Sequence, residues 1–352
     1  WNIELPGYGQ SSPVVWDGKI FTTAIEGENC DTGIIYCASL KNGKELWRMV
    51  FDSSSPVKRS RMVSLAAPTP VVDNAGLYVF FESGDLLALS HDGKKLWHRY
   101  LGGKYGPLRT HHGLGSSLFQ SRGRLGLLLD HPDPSQLLCL DKQNGRTIWA
   151  KQREKRVSWS TPVLIDDALL ISSNGVLEEI DFATGEQRWY VDGLTGNTVA
   201  SASVTQNLVI IGSSAKGNCV AVRRGGKGNV GETHIVWKSA KATSSFGSPL
   251  AHANHVYFVS RAGILSCVDS GTGQTKWDRR LGASCWASPL AAGERIYFFD
   301  KDGSTLVLQS GGSQEALAEN KLSVSGVVYG VAAIDQHFII RTGSELICIN
   351  HQ

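Results

Sequence analysis

Two adjacent histidines, His111 and His112, are the residues of this chain that most directly suggest acid–base or metal chemistry. Together with Asp278 they are candidate catalytic residues, because imidazole and carboxyl groups commonly transfer protons in enzymes. Adjacent residues of an extended segment point to opposite sides, so this histidine pair alone does not form a metal site. The chain has no His-x-x-x-His or Cys-x-x-Cys spacing. We therefore predict no metal site.

Signatures of nucleophilic or nucleotide chemistry are also absent from the sequence. There is no Gly-x-Ser-x-Gly elbow, and the glycine-rich stretch 225–228 lacks the second half of a phosphate-binding loop. We interpret this stretch as part of a long hairpin turn. A hydrolase or lyase that acts on polysaccharides remains one alternative for the chain.

Clusters of cations recur at intervals along the chain, with few acidic residues among them. A positive surface of this kind attracts anions, although solvated loop cations are also common. We take five arginines as candidate ligand-binding residues. The clusters comprise Lys58, Arg59 and Arg61; Arg99, Lys104 and Arg109; Lys151, Arg153, Lys155 and Arg156; Lys238 and Lys241; and Arg279 and Arg280. The five candidates are Arg59, Arg61, Arg109, Arg156 and Arg279.

A second set of candidate ligand-binding residues is aromatic. Trp159, Phe246 and Trp286 each precede a proline by three positions, and Tyr329 stands near the same place in its own segment, as does Tyr8. These rings could form a stacking surface for a ligand. They could equally form a hydrophobic plug.

A repeated sequence phrase that ends in tryptophan indicates the strands that would position these residues. Trp1 begins the chain, and Leu317 stands where the next tryptophan of the series is expected. The copies are KNGKELW at Trp47, HDGKKLW at Trp97, KQNGRTIW at Trp149, FATGEQRW at Trp189, THIVW at Trp237 and SGTGQTKW at Trp277. A repeated tryptophan of this kind is typical of packing between neighbouring units, because each ring buries a large area.

Each copy closes a unit of four short strands separated by Gly, Asn and Asp turns. Residues 160–189 show the pattern, which is typical of antiparallel hairpins and of one propeller blade. We predict an all-β, eight-bladed β-propeller over residues 1–352 as a single domain. Residues 1–5 supply the missing fourth strand of the last blade. The blades are predicted at 11–47, 67–97, 115–149, 160–189, 200–237, 247–277, 287–317 and 330–350.

Three of the seven cysteines, Cys37, Cys139 and Cys267, lie ten residues before a repeat tryptophan. This regular place indicates a small buried strand position rather than redox or metal chemistry. An odd number of cysteines excludes a complete disulfide framework, and pairing of Cys30 with Cys37 stays open.

The phrases Ser-Pro-Val-Val, Leu-x-Cys/Ala-Leu-Asp and Thr/Asn-Gly-x-x-x-Trp resemble the repeats of the pyrroloquinoline-quinone (PQQ) β-propeller superfamily over nearly the whole chain. The enzymes of this superfamily carry an adjacent cysteine pair and a calcium site, and no two cysteines are adjacent here. In length and blade count the chain is closest to the BamB-like, non-catalytic members. The resemblance therefore implies a binding protein. A PQQ-dependent oxidoreductase with Ca²⁺ is the alternative, using Arg109, Arg156 or Arg279 as clamps.

Composition limits the remaining choices. The chain has 352 residues, 41% hydrophobic content and a net charge of +3, which does not favour nucleic-acid binding. We expect a monomer without a transmembrane segment, in the periplasm or outside the cell, after removal of a leader. The connections from the fourth strand of one blade to the first strand of the next carry the cation clusters and emerge on one face of the predicted propeller, which we call the top face. We expect the top face to bind a protein partner or an anionic glycan or small molecule, without catalysis and without a cofactor.

Overall fold

A computed structural model describes residues 1–56, 65–106, 108, 110, 112–133, 135–154 and 156–350 of the chain. Their secondary structure is almost entirely β, and the strands form eight antiparallel sheets of four strands, one of which gains a fifth strand. The predicted eight-bladed β-propeller is confirmed. No helix among these residues is long and apolar enough to span a membrane.

The strands follow one another in short antiparallel steps, as the turn residues predict. In chain order the elements are β1 (Asn2–Glu4), β2 (Val14–Trp16), β3 (Lys19–Glu26), β4 (Thr32–Ser39), β5 (Glu45–Asp52), β6 (Val71–Asp73), β7 (Gly76–Phe80), β8 (Asp85–Leu89), β9 (Lys95–Tyr100), α1 (Gly102–Tyr105), β10 (Phe119–Ser121), β11 (Arg124–Leu129), β12 (Gln136–Asp141), β13 (Thr147–Gln152), β14 (Val163–Ile165), β15 (Ala168–Ser173), β16 (Val176–Asp181), β17 (Gln187–Val191), β18 (Ser203–Val204), β19 (Leu208–Ile211), β20 (Cys219–Arg223), β21 (Gly228–Asn229), α2 (Gly231–His234), β22 (Ile235–Ser239), β23 (Leu250–His252), β24 (His255–Val259), β25 (Ile264–Asp269), β26 (Thr275–Arg280), β27 (Leu290–Ala292), β28 (Arg295–Phe299), β29 (Ser304–Gln309), β30 (Ala316–Lys321), β31 (Gly330–Ile334), β32 (His337–Arg341) and β33 (Glu345–Asn350).

Two compact units make up the chain, and each holds four of the eight blades. Unit one comprises Trp1–Val157 with Tyr329–Gln352, and unit two comprises Ser158–Val328. Blades 1, 2 and 3 of unit one are β2–β5, β6–β9 and β10–β13, and blade 8 is β31–β33 with β1. Unit two holds blade 4 (β14–β17 with β21), blade 5 (β18–β20 with β22), blade 6 (β23–β26) and blade 7 (β27–β30). That the whole chain acts as one domain stays a prediction.

The closing strand lies where the sequence predicts it. β1 pairs antiparallel with β33, and Asn2, Ile3 and Glu4 face residues 347, 346 and 345. Trp1 lies beside Cys348, because the Cys348 amide donates to the Trp1 carbonyl oxygen at 2.9 Å. Blade 1 places Trp47 opposite Cys37 in the same way. Trp1 is therefore the repeat tryptophan of blade 8.

Burial differs between the inner and outer strands of a blade. Six consecutive residues of β3 are buried, whereas β5 alternates half-buried and exposed positions along its length. The middle strands are covered on both faces by packing, so their sequences are continuous apolar runs. The outer strand alternates because it covers a neighbour with one face only.

Five repeat tryptophans donate to the turn of a neighbouring blade in the same unit, whereas the buried Nε1 atom of Trp189 has no hydrogen-bond partner. In unit one, the Nε1 atoms of Trp1, Trp47 and Trp97 donate to the carbonyl oxygens of Leu40, His91 and Lys142 at 3.0, 2.9 and 2.9 Å. In unit two, Trp237 donates to Ser270 at 2.9 Å and Trp277 to Gly312 at 2.6 Å. The structural interpretation of these tryptophans is thus confirmed.

Two predicted details of the repeat are wrong. Ala318, not Leu317, takes the tryptophan place in blade 7, since Ala318 faces Val307. The hairpin from Leu308 to Ala316 is one residue longer than the matching hairpin from Val268 to Thr275, and Leu317 falls in the bulge. In blade 4, the strand position ten residues before the repeat tryptophan is not occupied by a small residue as predicted. Glu179 takes this position and lies opposite Trp189.

All seven cysteines are buried and none forms a disulfide, so Cys30 and Cys37 are not paired. Burial raises the pKa of Cys37, Cys219, Cys267 and Cys285 to about 12. These thiols are protonated at neutral pH, which fits a packing role rather than a reactive one.

Candidate functional site

The aromatic pair Phe246 and Trp286 in unit two is the most exposed ring cluster among the predicted site residues. The two rings are stacked, with centroids 4.4 Å apart and planes inclined by 13°. Trp286 is 38% exposed, and Phe246 is half-buried. An exposed stacked pair offers a rigid apolar surface to a ligand ring or to a partner side chain.

A series of side-chain hydroxyls holds the segments that carry these rings. In unit two, the Thr161 amide donates to Ser201 Oγ at 2.9 Å, the Ser201 amide to Ser248 Oγ at 3.0 Å, and the Ser248 amide to Ser288 Oγ at 3.0 Å. Each Ser or Thr stands just before the first strand of its blade. We call this series the hydroxyl ladder. It fixes the chain two residues after Trp159, Phe246 and Trp286.

Unit one repeats the hydroxyl ladder over its own blades. The Ser12 amide donates to Thr69 Oγ1 at 3.0 Å, and the Thr69 amide donates to Ser117 Oγ at 2.9 Å. The hydroxyls of Thr69, Ser117, Ser201, Ser248 and Ser288 therefore each accept a bond from the preceding blade. Sequence reasoning missed this role, although the spacing of these residues carried the signal.

Two of the remaining aromatic candidates have mainly structural surroundings. The Trp159 amide donates to the Thr198 carbonyl at 2.7 Å. Tyr329 packs edge-on against Tyr8, and their hydroxyl oxygens are 2.7 Å apart. Burial, followed by the bond with Tyr8, raises the pKa of Tyr329, so its hydroxyl stays neutral at physiological pH.

Arg341 lies in unit one beside the Tyr8 segment and was not anticipated from the sequence. Its side chain is fully buried, with Nη2 donating to the Thr23 carbonyl oxygen at 3.3 Å, and Nε and Nη1 lack a hydrogen-bond partner. Burial lowers the pKa of Arg341 to about 9. A Cβ at Gly9 would lie 2.8 Å from Nη2, so glycine at position 9 makes room for the guanidinium.

Two of the five arginine candidates already have acidic partners. Arg156 pairs with Glu154 at 2.7 Å, and Arg279 pairs with Glu319. Arg59, Arg61 and Arg109 lie outside the described residues, as does His111. An anion-binding top face built from these five residues stays a prediction.

The structure describes two of the three catalytic candidates, His112 and Asp278. His112 donates its amide to Thr110 Oγ1 at 3.2 Å in unit one. Asp278, in unit two, accepts a bond from Ser266 Oγ at 2.6 Å on an exposed outer strand. Each interaction is local to its own segment, which is typical of structural hydrogen bonding.

The buried carboxylate of Asp85 bonds two serines and a histidine. This cluster has the residue types of a Ser–His–Asp catalytic triad but not its arrangement. Its oxygens accept bonds from Ser54 Oγ and Ser83 Oγ, both at 2.6 Å, and lie 2.8 Å from His98 Nε2. The serines thus bond the aspartate and not the histidine. Because a nucleophilic serine needs a base beside its hydroxyl, this order does not activate either serine.

The described residues also do not fit a PQQ and calcium site. They contain no group of three or more His, Cys, Asp or Glu side chains that could hold a metal ion. Arg156 and Arg279, two of the expected clamps, are neutralised by glutamates.

Solved structures with this fold include BamB and an alcohol dehydrogenase. The crystal structure of BamB from Moraxella catarrhalis aligns with a TM-score of 0.69 and 14% identity, covering 99% of this chain and 96% of that chain. The quinohemoprotein alcohol dehydrogenase from Comamonas testosteroni aligns with a TM-score of 0.73 and 10% identity, covering 99% and 75%. At these identities the likeness shows the fold alone.

Sequence relatives narrow the assignment. The outer membrane protein assembly factor BamB of Moranella endobia (strain PCIT) is 26% identical over 181 residues, which are 50% of this chain and 42% of the relative. The matched part thus spans less than half the length of that curated relative. A family profile described as outer membrane protein assembly factor BamB matches residues 1–106 and 123–309. Since this match extends over most of the blades in both units, the chain belongs to the BamB family of PQQ-like β-propellers.

Proposed function

We propose that the chain is a non-catalytic binding propeller that holds a protein partner during outer-membrane protein assembly. The observation that carries the proposal is the stacked pair of Phe246 and Trp286, with Trp286 38% exposed. Tryptophan is enriched among the residues that dominate binding energy at protein interfaces. A rigid ring loses little conformational entropy on binding, so such a pair is well suited to anchor a partner.

The family supports the same role. Relatives carry the name outer membrane protein assembly factor, and the family profile covers blades of both units. We accordingly propose a location in the periplasm or outside the cell. An anionic glycan or small molecule on the top face is a second ligand class, for which Arg59, Arg61 and Arg109 stay candidates.

Catalysis receives less support from the site. Asp278 and His112 bond locally, and the Asp85 cluster places its serines away from the imidazole. Titration with PQQ and Ca²⁺ tests the oxidoreductase alternative, because a ligand of the folded state raises its melting temperature. A saturable rise would favour that alternative over the binding role.

Site-specific crosslinking in source cells tests the protein-binding role. A photoreactive phenylalanine analogue at Phe246 should capture one discrete protein, and the same analogue at the exposed Ala292 serves as control. We expect Trp286→Ala to weaken partner binding by about 2 kcal/mol, and Trp286→Phe to retain most of it. Capture of the same protein from position 246 and from position 292 would exclude the aromatic pair as the anchor. Unchanged partner binding by Trp286→Ala would exclude it as well.

A further inference from the structure

A basic groove lies between blades 2 and 3 of unit one. It has a volume of about 310 Å³ and is lined by His98, Arg99, Lys104, Asn144, Gly145, Arg146 and Thr147. Three of these seven residues are permanent cations, and none is acidic. We call this site the basic groove.

In unit two, the groove beside the equivalent arginine has balanced charges. There the groove between blades 6 and 7 contains Arg279 and Arg280 together with Asp300 and Glu319. Arg99 and Arg279 are equivalent, since each lies two residues after a repeat tryptophan and donates through Nη1 to a carbonyl of the next blade. The distances are 2.5 Å to Gly145 and 2.9 Å to Gln314.

The counter-charge of Arg279 is missing at Arg99. Glu319 faces Leu306 in blade 7, and the residue that faces the matching Leu138 in blade 3 is Ala150. Glu319 pairs with Arg279, whereas Ala150 has no charge to offer Arg99. Glu315, one residue after the carbonyl that accepts from Arg279, likewise corresponds to Arg146. Blade 3 thus has an alanine and an arginine at the two positions where blade 7 has glutamates.

Lys104 is held in place by an aromatic contact that does not neutralise it, and His98 is held by a carboxylate. Lys104 Nζ lies 5.5 Å from the ring centroid of Tyr105, and the Tyr105 hydroxyl is 3.0 Å from Thr147 Oγ1. His98 is held by the buried Asp85 at 2.8 Å. Cations that are positioned in advance lose less entropy when an anion binds.

The proposed protein-binding role indicates which anion the basic groove would take. Arg99, Lys104 and Arg146 line one groove, so an extended segment that carries several carboxylates can reach all three cations. On the basis of that proposed function, we propose that the basic groove binds an acidic segment of a protein partner, with carboxylates at Arg99, Lys104 and Arg146.

Binding of a fluorescein-labelled peptide of glutamate and leucine to the full chain, followed by anisotropy at low salt, tests this proposal. Ala150→Glu restores the missing carboxylate beside Arg99 and should weaken binding at least about tenfold, or ~1.4 kcal/mol. Arg146→Glu should have an effect at least as large. Affinity of the wild-type chain should fall steeply with added salt.

Control variants distinguish an effect at the basic groove from an effect of net charge or of misfolding on peptide binding. Lys41→Glu makes the same charge change as Arg146→Glu in an exposed hairpin turn of blade 1, and should leave binding nearly unchanged. Circular dichroism and thermal unfolding should show that each variant is folded. Equal binding by wild type, Ala150→Glu and Arg146→Glu would overturn the proposal. So would binding through these residues to vesicles of anionic lipid with no binding of the peptide.

The basic groove adds a second contact to the proposed function and can fail independently of it. Trp286→Ala should leave peptide binding at the basic groove intact, because Trp286 is not among the residues that line it. If the peptide binds but no partner is captured at Phe246, the groove stands and the aromatic anchor fails. The reverse result would retain the anchor and reject the groove.

Discussion

Trp1 and Cys348 are bonded in both directions across the closing sheet of blade 8. The Cys348 amide donates to the Trp1 carbonyl oxygen at 2.9 Å, and the Trp1 amino group donates to the Cys348 carbonyl oxygen at 3.2 Å. The indole of Trp1 then reaches blade 1 through its bond to Leu40. One residue thus completes a sheet and joins that sheet to its neighbour.

The first prediction concerns this closure. Trp1→Ala should lower the free energy of unfolding by about 2–4 kcal/mol, because it removes a half-buried ring and the bond to Leu40. Asn2→Ala, on the exposed side of the same strand, should change it by less than about 0.5 kcal/mol. Urea unfolding followed by circular dichroism measures both. Equal midpoints for the two variants would show that closure through β1 adds little stability.

The second prediction concerns the glycine in the repeated phrase. Gly93 has a φ of +81°, and a Cβ there would lie 2.7 Å from the ring of Trp47. Gly18 has a φ of +69° with nothing within 4 Å of its Cβ position. Gly18→Ala should therefore lower the free energy of unfolding by about 1–2 kcal/mol from backbone conformation alone. Gly93→Ala should lower it by about 1–3 kcal/mol more, because the added methyl group crowds the ring of Trp47. Similar melting temperatures for the two variants would contradict the packing of tryptophan on this turn.

The third prediction concerns the hydroxyl ladder of unit two. Ser201→Ala leaves the Thr161 amide without its acceptor, and an unsatisfied amide of this kind costs about 1–3 kcal/mol. Ser214→Ala, at an exposed hydroxyl, is the matched control. Thermal denaturation gives the stability change, and hydrogen exchange should show faster exchange of the Thr161 amide. Unchanged exchange at Thr161 would mean that another acceptor takes over.

Periodicity explains why so much of the fold could be predicted from the sequence. The tryptophan and the turn glycine touch each other across neighbouring blades, so a single contact is recorded at a fixed interval in the chain. Trp47 on Gly93 and Trp97 on Gly145 are two copies of it. The closing strand followed from the same count, because blade 8 lacked one strand and its tryptophan.

Features that depend on one blade alone could not be predicted in this way. The hairpin of blade 7 has one extra residue, which moves the tryptophan position to Ala318, and no residue type in this hairpin indicates the insertion. Residues 228–229 add β21 as a parallel fifth strand beside Trp189, which depends on tertiary contact rather than on local pattern. The pairing of Arg279 with Glu319, and the presence of Ala150 at the matching place in blade 3, likewise required the register of the strands.

The fourth prediction concerns the acid stability that Asp85 provides. Burial of Asp85 opposes ionisation, but hydrogen bonds from Ser54, Ser83 and His98 outweigh it, and the pKa of Asp85 is lowered. A carboxyl group with a lower pKa in the folded state stabilises the fold at pH values above its unfolded pKa, about 4. That contribution is lost as the pH falls through the folded-state pKa, because the unfolded chain then binds the proton more readily.

Asp85→Asn should therefore remove part of the fall in stability between about pH 4 and pH 2. It should also lower stability at neutral pH by about 2–4 kcal/mol, because an amide cannot accept all the bonds that Ser54, Ser83 and His98 donate. Asp17→Asn, at an exposed turn residue, is the control. Urea unfolding at a series of pH values measures the slope for each chain. If Asp85→Asn kept the wild-type slope in acid, the pH dependence would have to come from other carboxylates, and the Asp85 cluster would serve only to hold residues 52–54 against blade 2.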